Sequence, residues 1–213
     1  MKIVQNVRKK FSSFFDGFGN SEPKRIGIYG PPNSGKSTLA NQICKDWTGE
    51  PLGAEGPVPH ETRRVKKREN VTIEHEGNKV TIDIVDTPGV ATEVNDNDFL
   101  DKGMDKDRAR NRSREATEGI AEAMQWLRED IDGVIYMMDS TEDPFMQVNT
   151  MLLGIIESHD MPAIVLANKI DLQESDAQKI ADAFPQHVTL PVSAKEGDNL
   201  DDIYKQIAIK FGD

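Results

Sequence analysis

Gly30-Pro31-Pro32-Asn33-Ser34-Gly35-Lys36-Ser37-Thr38 comes directly after the apolar, β-rich run Arg25-Ile26-Gly27-Ile28-Tyr29 and leads into a helical stretch. The segment satisfies G-x-x-x-x-G-K-[ST], and a strand before it with a helix after it is the setting in which that pattern wraps phosphate. Loop N–H groups and the N-terminus of the following helix are expected to cradle the α- and β-phosphates of a nucleotide. Lys36 then reaches the β- and γ-oxygens and the Ser37 hydroxyl ligates Mg²⁺, while Asn33, Ser34, Gly35 and Thr38 complete the nucleotide-contacting loop.

Outward from this loop, short β-rich runs alternate with helical stretches, the pattern of a parallel sheet wrapped by helices. Strands are expected at 25–30, 69–76, 79–86, 133–139, 163–168 and 187–190, and helices at 35–46, 113–129, 145–159, 175–184 and 198–211. Gly77-Asn78 reads as a two-residue hairpin turn that adds one antiparallel edge strand. The expected fold is therefore α/β: a mostly parallel six-stranded sheet with one antiparallel edge strand and helices on both faces. Two connections are long, 47–62, rich in Gly and Pro, and 88–112, rich in charge. Loops of such length are usually functional or mobile.

The whole chain has 213 residues, 37 acidic and 26 basic, for a net charge of −11. That suits one α/β domain with appendages, and its overall field repels nucleic acid and anionic lipid except at local positive patches. The single cysteine, Cys44, excludes a disulfide framework and a thiolate metal cluster and fits a reducing compartment; packing is its plain reading. Runs such as Gly133 to Met138 and Ala163 to Ala167 are strand-sized, far short of the roughly 20 apolar residues that span a bilayer. Arg8-Lys9-Lys10 interrupts any secretory apolar block, so the expected location is cytoplasmic.

Base recognition has to separate ATPases, kinases and GTPases, which share the phosphate loop. Asn168-Lys169-Ile170-Asp171 ends one apolar strand, and Ser193-Ala194-Lys195 follows the next. Asp171 offers two acceptor oxygens to the adjacent N1–H and N2 donors of guanine; adenine lacks them, and a buried carboxylate there would reject it. The Ala194 N–H can donate to guanine O6, and the stems of Lys169 and Lys195 can lie along base and sugar. Asp86-Thr87-Pro88-Gly89 sits at another strand end, where Asp86 would hold Mg²⁺ through water and the Gly89 N–H would meet the γ-phosphate. Thr62, in Pro59-His60-Glu61-Thr62-Arg63, either closes over Mg²⁺ when triphosphate is bound or is an ordinary loop threonine.

GPPNSGKST, Thr62-Arg63, DTPG, NKID and SAK occur in the order of the translation-factor-like GTPases, and within them the sequence resembles the Era branch over residues 25–211. The resemblance implies a P-loop GTPase domain that takes GTP and GDP with Mg²⁺ and switches the loops around Thr62 and Gly89. Lys36, Thr62 and Gly89 are its candidate catalytic residues. Val90 stands where Ras-like proteins carry a water-orienting glutamine, so intrinsic hydrolysis should be slow. In Era-like proteins an asparagine at the Asn33 position goes with a bound K⁺; loop shaping is the equal alternative. Era proteins continue into an RNA-binding KH domain, and this sequence ends at Phe211-Gly212-Asp213, which weakens RNA or ribosome as a partner.

Residues 90–115 form a longer switch region than the family's, with Asp96, Asp98, Asp101, Asp105 and Asp107 ahead of Arg108, Arg110, Arg112 and Arg114. A solvated switch extension competes there with a protein-effector or homodimer surface, in which one arginine would act across the dimer. At 100° per residue, Ile3, Val4, Val7, Phe11, Phe14, Phe15 and Phe18 fall within about 120°. Residues 1–18 thus read as an amphipathic helix, with Lys2, Arg8, Lys9 and Lys10 on its polar positions and a linker over 19–24 before the domain at 25–213. A peripheral anchor on the inner membrane face is the leading expectation, ahead of docking on the domain, a protein partner or a transit peptide. The second basic cluster, Arg63-Arg64-Val65-Lys66-Lys67-Arg68, either protects a sheet edge or reads phosphates. The expected function is a GTP-hydrolysing switch at a membrane surface. A ribosome-assembly GTPase, a slowly hydrolysing scaffold and, weakest, a P-loop kinase are its rivals.

Overall fold

The computed structural model describes residues 23–53, 64–92, 94, 97–101 and 103–212. The expected helix over 1–18, most of its linker, and Thr62 and Arg63 lie outside the described residues. Six strands form one sheet: β1 (Lys24–Tyr29), β2 (Lys66–His75), β3 (Asn78–Asp86), β4 (Gly133–Asp139), β5 (Ala163–Asn168) and β6 (Thr189–Val192). The helices are α1 (Lys36–Thr48), α2 (Asn97–Leu100), α3 (Lys106–Glu129), α4 (Gln147–Ser158), α5 (Ala177–Ala183) and α6 (Leu200–Phe211). Strand order is β2-β3-β1-β4-β5-β6, with β2 antiparallel to β3 and the remaining pairs parallel.

Alternation within the strands sorts the core into two layers. Ile26 and Ile28 of β1, Ile135 and Met137 of β4, and Ile164 and Leu166 of β5 face α1 and α6, whose Leu39, Ile43, Ile203, Ile207 and Phe211 cover them. Tyr29, Val134, Tyr136, Met138 and Val165 face the other way, onto Ala123 and Leu127 of α3 and Leu152 and Ile156 of α4. Because both faces are covered, β4 and β5 are buried along almost their whole length and read as unbroken apolar runs. Tyr29 donates its buried hydroxyl to the Ala123 carbonyl at 2.9 Å, and Tyr136 donates to Asn149 Oδ1 at 2.9 Å.

Several expected boundaries are corrected; β2, for one, begins at Lys66 instead of 69. The hairpin turn is Glu76-Gly77, with φ of 49° and 84°, because His75 pairs with Asn78; Asn78 belongs to β3. Two successive left-handed residues match the twist that a tight hairpin needs. Strand β6 begins two residues later than expected, at Thr189. Helix α3 starts at Lys106 instead of 113, capped by Asp105, whose side chain accepts the Arg108 N–H at 2.9 Å. The charged stretch before Arg112 is thus partly helical. Its apolar support is a small separate cluster, Phe99, Ala109 and Ala116.

Candidate nucleotide-binding site

The order β3-β1-β4 makes the strand ends around β1 the place where connections diverge to opposite faces of the sheet, a standard location for ligands in such folds. The phosphate loop leaves β1 there and bends through Asn33 at φ 60° and Gly35 at φ 99°. A Cβ on Gly35 would run into the Asn168 side-chain amide, so only glycine lets the loop sit against the end of β5. Lys36, the first residue of α1, is almost fully buried; its ammonium donates to the Pro31 carbonyl at 2.5 Å and to Ser34 Oγ at 3.4 Å. Burial lowers its pKa to about 8, against the opposing pull of Asp86, and the charge of Lys169 lowers it further.

Ser37, next on α1, donates its hydroxyl to Asp86 Oδ2 at the end of β3, 2.8 Å away. A hydroxyl and a buried carboxylate converging at one spot are oxygen donors of the kind that fits Mg²⁺. Among the described residues no cluster of three or more His, Cys, Asp or Glu could hold a metal by itself. Thr87, fully buried, donates its hydroxyl to the Ile28 carbonyl at 2.7 Å, and the Val90 N–H donates to the Gly30 carbonyl at 3.1 Å. These bonds hold the loop after β3 against the phosphate loop.

Asn168 joins the base side to the phosphate side. Its Nδ2 donates to the Ser34 carbonyl at 2.8 Å, and its Oδ1 accepts the Ala194 N–H at 2.9 Å. The Ala194 N–H, read from sequence as a donor to guanine O6, is therefore engaged by Asn168 in this form. Asp171 is exposed, contrary to the buried carboxylate expected, and one oxygen accepts the Ser193 hydroxyl at 2.7 Å. Ser193 is fully buried and fixes the carboxylate's direction. The Lys195 ammonium pairs with Glu196 at 2.9 Å. Glu196, and after it Asp171, raise the Lys195 pKa.

A family model described as 50S ribosome-binding GTPase matches residues 25–169. The chain belongs to this GTPase family. It is 31% identical to GTPase Era of Pseudomonas putida over 198 residues, which is 89% of this chain and 56% of that one. Against GTPase Era of Pseudomonas fluorescens it is 32% identical over 189 residues, 86% of this chain and 53% of the other. An Aquifex aeolicus Era variant bound to GDP.AlF4- matches with a TM-score of 0.65 at 25% identity, over 89% of this chain and 57% of that one. Era in complex with MgGDPNP and nucleotides 1506-1542 of 16S ribosomal RNA matches at 0.66 and 25%, over 90% and 57%. The chain thus spans a little over half the length of these relatives.

In this Era-like GTPase domain the structure sets Asn33, Ser34, Gly35, Lys36, Ser37, Thr38, Asp86, Gly89, Asn168, Lys169, Asp171, Ser193, Ala194 and Lys195 at or just beyond the C-terminal ends of the parallel strands. Sequence reasoning missed Asp139, Ser140 and Thr141 at the end of β4. Asp139 accepts the Lys169 ammonium at 2.5 Å, and both the Ser140 N–H and its hydroxyl donate to the Asn168 carbonyl, at 2.9 and 2.7 Å. The polar Asp-Ser-Thr ending of an otherwise apolar strand was the signal available.

The outlying charges are mostly paired. Arg64 binds Glu118 at 3.0 Å and Glu122 at 3.6 Å, Lys67 binds Glu69 and Asp83, and Arg68 binds Glu50. Arg64, Lys67 and Arg68 of the second basic cluster are thereby engaged beside the sheet edge, which favours edge protection over phosphate reading. Arg112 folds over the Phe99 ring at 5.9 Å and so is not presented to a partner, whereas Arg108, Arg110 and Arg114 are exposed. Among the described residues no helix is long and apolar enough to cross a membrane.

Proposed function

We propose that this chain binds GTP and GDP with Mg²⁺, hydrolyses GTP to GDP, and works as a molecular switch. The observation that carries the reading is the double engagement of Asn168, which makes the phosphate loop, the NKID segment and the SAK segment one site. Asp171, steered by Ser193, would accept the N1–H and N2 donors of guanine, and the base would cover its exposed carboxylate.

On the phosphate side, Lys36 exchanges its bonds to Pro31 and Ser34 for β- and γ-oxygens, where a fixed positive charge stabilises the transferring phosphoryl group. Ser37, and Asp86 through water, would hold Mg²⁺, which when bound would neutralise charge on the phosphates. Gly89 sits against Pro32 of the phosphate loop, which supports a role for its N–H in sensing the γ-phosphate. Val90 is buried and hydrocarbon, and no polar atom of its side chain can orient water. Basal hydrolysis is therefore slow, and we assign the missing assistance to K⁺ at Asn33, which stands exposed at the crown of the loop. Phosphate release from GTP, measured with Mg²⁺ in K⁺ or in Na⁺ for the natural protein and Asn33→Ala, tests this. The K⁺ assignment requires faster turnover in K⁺ and loss of that gain in the variant. Absence of any guanine-nucleotide binding would sink the whole reading.

A second reading rests on the basic, phenylalanine-rich pattern of residues 1–18: switch output at an anionic membrane surface. Co-sedimentation with anionic vesicles, with and without residues 1–20, in GDP and in a non-hydrolysable GTP analogue, distinguishes it. Binding that needs both the segment and the triphosphate supports the membrane; co-sedimentation with ribosomal subunits instead would transfer the ribosomal RNA partner of the Era structure to this chain.

A further inference from the structure

Resting on the guanine-nucleotide reading above, we propose that Asp139 is a positioning residue for base recognition, holding Lys169 in place to lie along the base while itself touching no part of the nucleotide. Asp139 ends β4 directly beside Asn168, the last residue of β5. Its two carboxylate oxygens do different work. Oδ1 accepts the Thr141 N–H at 3.0 Å and the Thr141 hydroxyl at 2.7 Å, which fixes the carboxylate plane. Oδ2, held in that plane, accepts the Lys169 ammonium at 2.5 Å.

Lys169 needs such a hold for two reasons. Its backbone is left-handed, φ 71°, a conformation that a lysine does not choose by itself, so the surroundings impose it. The grip comes from Ser140, whose N–H and hydroxyl both bond the Asn168 carbonyl just before that residue. The Ser140 carbonyl in turn accepts the Asp176 N–H at 2.8 Å, tying the segment to the cap of α5. Lys169 is also one of two ammonium groups in a single site, and its charge weighs on the buried Lys36. A carboxylate on Lys169 keeps the second positive charge compensated. Burial works against ionisation of Asp139, but Lys169 and Thr141 outweigh it and hold the carboxyl below its usual range. Asp139 is therefore an anion at neutral pH.

Asp139→Asn keeps the shape and an acceptor for Thr141 and removes the charge that Lys169 needs. The test is the dissociation rate of fluorescent GDP in Mg²⁺ for the natural protein, Asp139→Asn, Asp139→Glu, Lys169→Ala, and the double variant Asp139→Asn/Lys169→Ala. We expect release from Asp139→Asn to be roughly ten-fold faster, partial rescue in Asp139→Glu, and a double variant no faster than Lys169→Ala alone, since contacting residues couple by about this much. A role in folding alone would give independent effects that multiply in the double variant, and that result overturns the proposal. So does Asp139→Asn releasing GDP at the natural rate. If the natural protein binds no guanine nucleotide, it is the functional reading beneath that falls; if it binds and Asp139→Asn is silent, this inference falls alone.

Discussion

Gly89 packs so closely on Pro32 that a Cβ built on it would stand 2.7 Å from the Pro32 Cα and 2.9 Å from its nitrogen. The loop after β3 and the phosphate loop therefore meet directly, the Gly89 backbone lying against the Pro32 backbone and ring. Movement of one is felt by the other without an intermediary.

Gly89→Ala should separate nucleotide binding from nucleotide sensing. The methyl group forces the two loops apart, which leaves the base side intact and displaces the γ-phosphate side by a fraction of an ångström or more. Single-turnover GTP hydrolysis is expected to fall about 100-fold, with GDP affinity much less affected. Hydrolysis at the natural rate would show that the contact is not used.

Asp171→Asn replaces one acceptor oxygen by a donor facing the N1–H and N2 donors of guanine. Affinity for GDP should drop by about 100-fold or more, and xanthosine diphosphate, which presents an acceptor at that edge, should bind better than to the natural protein. Competition titrations measure both. An unchanged preference for guanine would place the base elsewhere.

Asn168→Ala strands two buried backbone groups, the Ser34 carbonyl and the Ala194 N–H. Unsatisfied groups of this kind make the nucleotide-free domain about 2–4 kcal/mol less stable, read from urea unfolding. A loss well under 1 kcal/mol would mean that the loops hold each other by other contacts.

Lys36 gives a pH dependence of definite sign. Burial lowers its pKa to about 8 from 10.5, so the unfolded chain binds more protons between those values and this group's contribution makes the nucleotide-free domain more stable as pH rises through them. Nucleotide phosphates require the charged form. GDP affinity should therefore fall above about pH 8, by up to ten-fold per pH unit, with proton uptake on binding visible by calorimetry in two buffers. Constant affinity across that range would exclude Lys36 as the group being titrated.

The apolar strands were legible in the sequence almost to the residue. Gly133–Asp139 and Ala163–Asn168 are β4 and β5 as expected, because parallel strands buried on both faces have no polar alternation to blur their ends. The positions of the motif segments were legible because each directly follows an apolar strand whose end the pattern marks. The start of α3 was not: its first turns rest on Ala109 and Ala116, side chains too small to print an apolar stripe, and the Asp105 cap was hidden among other acids. Nor were Asp139 and Ser140, whose partners on β5 come from a strand pairing that spacing alone does not reveal. The engagement of Ala194 by Asn168 likewise depends on two strand ends standing side by side.

Cys44 is fully buried on the core-facing side of α1, and burial pushes its thiol up to about 11. For spectroscopy the domain thus behaves as though it had no cysteine. A maleimide dye attached to one engineered thiol, for instance at the exposed Met151 of α4, would report from that position without background labelling, and the protein would not first have to be stripped of its own sulfur.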